Sequence, residues 1–146
     1  MPSKKRSGTR ASRRKPEVVF FLDRCIESKT LVAALAAAGA VVKKHSDRFA
    51  GNAPDEDWLR VVGAERWIVL TKDKRIRHRQ NERDALMTAG VRAFVLTAGN
   101  LSGHDAAEVW VRHVAKITRV AASATAPFIA HVTLNVVRIM TRSRRR

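Results

Sequence analysis

Trp67-Ile68-Val69-Leu70-Thr71-Lys72-Asp73-Lys74-Arg75 is the stretch on which the fold turns. It opens on aromatic and apolar, mostly β-branched residues, and an acid flanked by bases follows at once. Ile68, Val69 and Leu70 form an unbroken apolar run, the pattern of a strand buried on both faces of a parallel sheet. Thr71 to Arg75 then lies at the strand's C-terminal end, where open α/β sheets bind ligands. An acid at that place can hold a metal ion, and the bases beside it can meet phosphate.

Val18-Val19-Phe20-Phe21-Leu22 repeats this design, and Asp23-Arg24 follows it. If both strands are central and parallel, Asp23 and Asp73 emerge on one rim. Between them the pattern alternates. Ser28 can cap a helix whose Leu31, Val32, Leu35 and Ala38 recur at helical spacing, with Gly39 as its stop. Ala40 to His45 reads as a second strand, its lysines marking an edge or half-exposed position. Residues 46–54 read as a loop, and Pro54 suits the first turn of the next helix. In that helix, residues 55–64, Trp58, Leu59 and Val62 make the apolar face. Asp55 precedes Trp58 and Leu59 by three and four residues and so shares that face, while Glu56 and Asp57 point elsewhere. A shift of one residue in the helix start would favour Asp57 instead.

Downstream, residues 72–83 are the most basic part of the core, carrying Lys72, Lys74, Arg75, Arg77, His78, Arg79 and Arg83. A helix over 81–89 ends at Gly90. Residues 91–97 form a fourth strand, 98–103 a loop at the same rim, and 104–122 a long helix with Val109, Trp110, Val114 and Ile117 inward. Residues 127–132 supply a short final strand. Strands alternating with helices imply an α/β fold with a mainly parallel central sheet of four to five strands between helical layers.

The chain has 146 residues and a net charge of +16, unevenly placed. Residues 1–16 hold seven bases and no acid, and residues 138–146 hold five more and again no acid. Without those twelve, 17 bases face 13 acids, so the folded part is only mildly basic. Basic extremes of this kind attract polyanions without sequence specificity. The expected division is a basic arm over 1–16, one domain over 17–133 and a basic tail over 134–146. The longest mostly apolar stretch, residues 31–42, is too short to cross a bilayer. One cysteine, Cys25, excludes an internal disulfide framework and fits a reducing, cytoplasmic setting. Cys25 itself reads more readily as a small buried hydrophobe than as a reactive thiol.

Asp23, Asp55 and Asp73 are therefore the candidate catalytic and metal-holding set, with Glu56 and Asp57 in reserve. Hard cations such as Mg2+ take oxygen ligands, and a bound ion can polarise a phosphodiester and orient an attacking hydroxide. Lys72, Lys74, Arg75 and Arg77 are candidate nucleic-acid contacts. Thr71 can orient an acid, bind phosphate or simply bond backbone; Asn100 can meet substrate or shape a turn. His45 and His78 have no partner at metal spacing. Trp58, Trp67 and Trp110 read as core residues rather than base-stacking platforms.

Taken together, Phe20-Phe21-Leu22-Asp23, Pro54-Asp55-Glu56-Asp57-Trp58-Leu59 and Val69-Leu70-Thr71-Lys72-Asp73-Lys74 resemble the PIN-like domains, most closely the small branch that includes VapC-type toxins and Mut7-C-type proteins. Asn100-Leu101 and Pro127-Phe128-Ile129-Ala130 add to the likeness, which spans roughly residues 18–132. The resemblance implies a PIN-like three-layer α/β/α fold and Mg2+- or Mn2+-dependent cleavage of RNA. It matches Asp23 to the acid after the first strand, Asp73 to the acid after the later one, and the Asp55–Asp57 cluster to the helical acid. A further acid that typical PIN nucleases carry near the fourth strand is missing; Thr97, Asn100 and Asp105 stand in that region. An RNA substrate and a small protein antitoxin are the expected partners, without a membrane, and a homodimer is an open option. The alternative is a non-catalytic nucleic-acid-binding module on the same fold. A phospho-acceptor signalling domain is disfavoured by the basic charge.

Overall fold

Strand β1 (Val19–Leu22) lies inside the sheet because Phe20, Phe21 and Leu22 are fully buried, which requires packing on both faces. A computed structural model describes residues 18–98 and 101–142; the side chains of Lys74, Arg77 and Arg142 fall outside that description. The expected arm over 1–16 and Asn100 also lie outside the described residues.

After a 3-10 turn at Arg24–Ile26, helix α1 (Lys29–Ala37) starts at Ser28, whose Oγ accepts from the Leu31 N–H at 3.0 Å. That bond satisfies one of the donors a helix N-terminus leaves open. Gly39 closes the helix at φ +93°, a left-handed conformation that glycine adopts without a Cβ penalty. Strand β2 (Val41–Lys44) is half-buried throughout. A short helix α2 (His45–Arg48) follows where a loop was expected; four residues show too little periodicity to be read as a helix. Helix α3 (Asp55–Glu65) buries the expected face of Trp58, Leu59 and Val62. Strand β3 (Ile68–Thr71) is buried at every residue, as a doubly covered strand should be. The basic stretch after it forms a five-residue helix α4 (Lys74–His78), also unforeseen, and then α5 (Gln80–Thr88). Strand β4 (Arg92–Leu96), the long helix α6 (Gly103–Ser123) and strand β5 (Phe128–Val132) complete the expected succession.

One element was not expected. Val137–Arg142, read as part of a basic tail, forms strand β6 antiparallel to β5. Its alternation of Val137 and Ile139 with Arg138 and Met140 is the period of a half-covered strand. The arginines dominate that reading in sequence. In the structure Val137 and Ile139 pack on the core, while Met140 stays 54% exposed.

The sheet order is β2-β1-β3-β4-β5-β6, with every pairing parallel except β5–β6. On one face α1 and α6 cover Phe20, Leu22, Leu70, Phe94 and Phe128, with Trp110 at the centre. On the other, α3, α4 and α5 cover Phe21, Val69, Val95 and Ile129. The architecture is thus the three-layer α/β/α expected, with six strands rather than four or five. The chain leaves β1 outward to β2 and then returns to β3 on its other side. That reversal puts a switch-point crevice at the carboxyl ends of β1 and β3.

No helix among the described residues is long and apolar enough to cross a membrane.

Candidate acidic site at the sheet rim

Strand register determines which side chains meet at the rim. Leu22 pairs with Lys44 on one side and Leu70 on the other, so the next residues, His45, Asp23 and Thr71, leave three adjacent strands side by side. The Asp23 N–H donates to the Leu70 carbonyl at 3.1 Å, which extends the ladder to the acid itself. Asp23 Oδ1 accepts from the Arg24 N–H at 2.7 Å, capping the 3-10 turn.

Thr71 ties the two strand-end acids together. Its buried hydroxyl donates to Asp23 Oδ2 at 2.8 Å and accepts from the Asp73 N–H at 3.1 Å. Of its open readings, its contacts describe two at once, holding an acid and bonding backbone. Asp73 caps α4 by accepting from the Arg75 N–H at 2.9 Å. The helical acid arrives from the opposite side: Trp58 Nε1 donates to Asp55 Oδ1 at 3.1 Å, turning the carboxylate toward the rim. The indole is held by a stack on Phe21, 5.4 Å between centroids.

Asp23, Asp55 and Asp73 thus line one cavity of about 110 Å³, together with Arg24, Cys25, His45, Gly51, Ala53, Trp58 and Arg75. Glu56 and Asp57 are exposed on α3 and outside it. Glu56 instead borders a larger groove of about 670 Å³ between α3 and α5, remote from the strand ends. In the region of the missing downstream acid, Thr97 Oγ1 donates to the Val132 carbonyl, and Asp105 sits exposed in the first turn of α6. Neither lines the cavity. Lys72 is exposed at the rim, and Lys74 and Arg77 lie on α4.

Arg75 stands inside the acid set. Its Nε lies 3.1 and 3.0 Å from the two Asp73 oxygens and its Nη2 lies 2.6 Å from Oδ2, a forked pairing. The same Nη2 lies 3.6 Å from Asp55 Oδ2. Burial alone would raise the Asp73 carboxyl, but the hydrogen bonds and charge of Arg75, with the charge of Arg79, outweigh it and hold the group below the usual carboxylate range. Arg75 is raised in turn, chiefly by its hydrogen bonds to Asp73.

The donor set suits a hard divalent cation in kind: three carboxylates on one small cavity. In arrangement it does not yet suit one. Among the described residues no three His, Cys, Asp or Glu side chains are grouped to hold a metal ion, and a guanidinium pairs with two of the acids.

Two cavity residues were missed or misread in the sequence. His45 is only 3% exposed, packed against Phe21, Phe49 and Trp58, and its Nδ1 has no hydrogen-bond partner. Nothing local signals its place in the cavity, because it comes beside the Asp23 strand end only through the β1–β2 register. Cys25 is exposed rather than a core hydrophobe. Its Sγ is tucked 3.4 Å from Thr71 Oγ1 and 3.7 Å from Asp23 Oδ2. Burial of the sulfur first, then the Asp23 charge, pushes the thiol above its ordinary value, so it is a poor nucleophile. The three tryptophans are core residues, at 5, 9 and 0% exposure for Trp58, Trp67 and Trp110.

A family model described as a PIN like domain matches residues 18–98, from β1 through β4, and so contains all three acids. Comparison with curated proteins and with solved structures returns no match. The matched span exceeds half of the chain and coincides with the switch-point crevice; the chain belongs to the PIN-like domain family.

Proposed function

We propose that the protein is a metal-dependent endoribonuclease of the VapC-type or Mut7-C-type branch, acting as the toxin of a toxin–antitoxin pair in the cytoplasm. PIN-like domains are generally nucleases, and one observation carries the reading to this chain. Three acids from three separate segments converge on a single cavity at the switch point of a parallel sheet.

Asp23, Asp55 and Asp73 would hold Mg2+ or Mn2+. When bound, the ion would supply Lewis-acid chemistry toward the phosphodiester. The protein's own groups do the rest. Thr71 keeps the Asp23 carboxylate turned to the cavity, and Trp58 does so for Asp55. Arg75 and exposed Lys72 would meet the nonbridging phosphate oxygens, with Lys74 and Arg77 of α4 as further candidate contacts. A small antitoxin would act by covering this cavity.

One observation favours the alternative, a non-catalytic RNA-binding module: Arg75 already neutralises part of the acid set. The discriminating experiment is cleavage of a mixed RNA pool with Mg2+ or Mn2+ against EDTA, with Asp73→Asn alongside. Metal-dependent cutting that the variant loses supports the nuclease. Salt-sensitive RNA binding without cutting under any metal supports the module.

A further inference from the structure

Resting on the nuclease reading, we propose that Arg75 is a built-in counter-ion for Asp55 and Asp73, and that a substrate phosphate frees these acids for the divalent cation by drawing the guanidinium away. Cation and phosphodiester would then bind with positive coupling.

The geometry makes the competition direct. Arg75 Nε and Nη2 reach both Asp73 oxygens, and Nη2 also stands 3.6 Å from Asp55. A cation held by Asp55 and Asp73 needs the oxygens the guanidinium now engages. Two positive charges in so small a cavity repel, so either can satisfy the acids but not both. The Asp73 side chain is 18% exposed and that of Arg75 47%. The acid is therefore fixed in the wall, whereas the arginine lies at the mouth with room to turn outward. It departs only if its fork gains another anion. A phosphate offers oxygens in the same spacing as a carboxylate, and the substrate brings one to this mouth. The remaining oxygens of the set are already committed to rigid donors: Thr71 holds Asp23 Oδ2, Arg24 holds Oδ1, and Trp58 holds Asp55 Oδ1. Those donors fix Asp23 and Asp55, and the arginine is the movable member of the set. By linkage, whatever phosphate gains from the cation, the cation gains equally from phosphate.

The test measures cation binding rather than turnover. Mn2+ is titrated into the full-length protein and free ion is read by electron paramagnetic resonance. A short phosphorothioate oligonucleotide, which resists cleavage, is present or absent, and the oligonucleotide alone serves as blank. The wild type should bind Mn2+ several-fold more tightly with the oligonucleotide than without. Arg75→Ala should bind Mn2+ tightly from the start, by roughly fivefold over wild type as expected for an exposed ion pair, and the oligonucleotide should add little. Arg75→Lys keeps the charge but loses the fork, so it should fall between, and it carries the test if the alanine variant does not fold. Equal Mn2+ affinity in wild type and variants, with unchanged coupling, overturns the proposal while leaving the nuclease reading intact. No Mn2+ binding by any of them, with or without oligonucleotide, removes the nuclease reading and the proposal with it.

Discussion

Thr71 shows how much one side chain can organise. Its hydroxyl is fully buried and bonded on both sides, to the Asp23 carboxylate and to the Asp73 N–H. Thr71→Val keeps the shape but leaves a part-buried carboxylate oxygen and a part-buried N–H without that partner. A loss of about 1–3 kcal/mol is expected in urea unfolding, and Thr71→Ser should recover most of it. If valine and serine behave alike, the hydroxyl is not what joins the acids. Asp73 provides a pH signature. Its folded pKa is depressed, so its contribution is fully present above the ordinary value of 3.8 and is lost as pH falls through the lower folded value. The stability gap between wild type and Asp73→Asn should therefore be constant at neutral pH and close only in strong acid. A gap that closes near neutrality would assign it to another group.

At the scale of elements, the contact between α3 and the end of α5 is set by Gly63. A Cβ built there would lie 2.0 Å from the Ala89 carbonyl oxygen, a backbone atom that cannot step aside. Helix propensity would favour alanine by roughly 1 kcal/mol. Overpacking of this kind costs typically 1–3 kcal/mol, and the closeness puts Gly63→Ala toward the upper end, so a net loss is expected. Thermal unfolding would register it as a lowered Tm; a raised Tm would mean that α5 moves freely on α3. Such a shift also bears on function, since α3 carries Asp55 and α4 and α5 follow Asp73 closely in the chain. The other element of note is β6, an edge strand that leaves Met140 exposed, as Leu134 and Val136 are in the turn before it.

Across the whole molecule, charge is divided between a mildly basic domain and strongly basic extremes. If polyanion attraction resides in those extremes, deleting residues 1–16 should flatten the salt dependence of RNA binding by about 0.7 in slope for each base that met a phosphate. The same deletion should leave metal-dependent cleavage at saturating RNA nearly unchanged, because the acid cavity lies wholly within residues 23–75. An unaltered slope, measured by fluorescence anisotropy, would return the attraction to Lys72 and its neighbours.

The sequence by itself determined the layered α/β fold and the buried strands β1 and β3, because these follow from local periodicity, and it favoured Asp55 while leaving Asp57 open. Apolar runs report double burial, and spacing on a helix reports which face an acid shares. It also placed Asp23 and Asp73 at strand ends, leaving their meeting conditional on topology. Only the tertiary structure decided what depends on register and on distance in sequence. His45 joined the cavity through a strand pairing that no local pattern encodes. Cys25 turned from core residue to cavity wall, β6 emerged from an arginine-rich tail, and Arg75 appeared as the partner of the acids. Lys72, Lys74 and Arg75 are equally basic in the sequence; the first turn of α4, with Asp73 as its cap, is what folds Arg75 back onto the carboxylates.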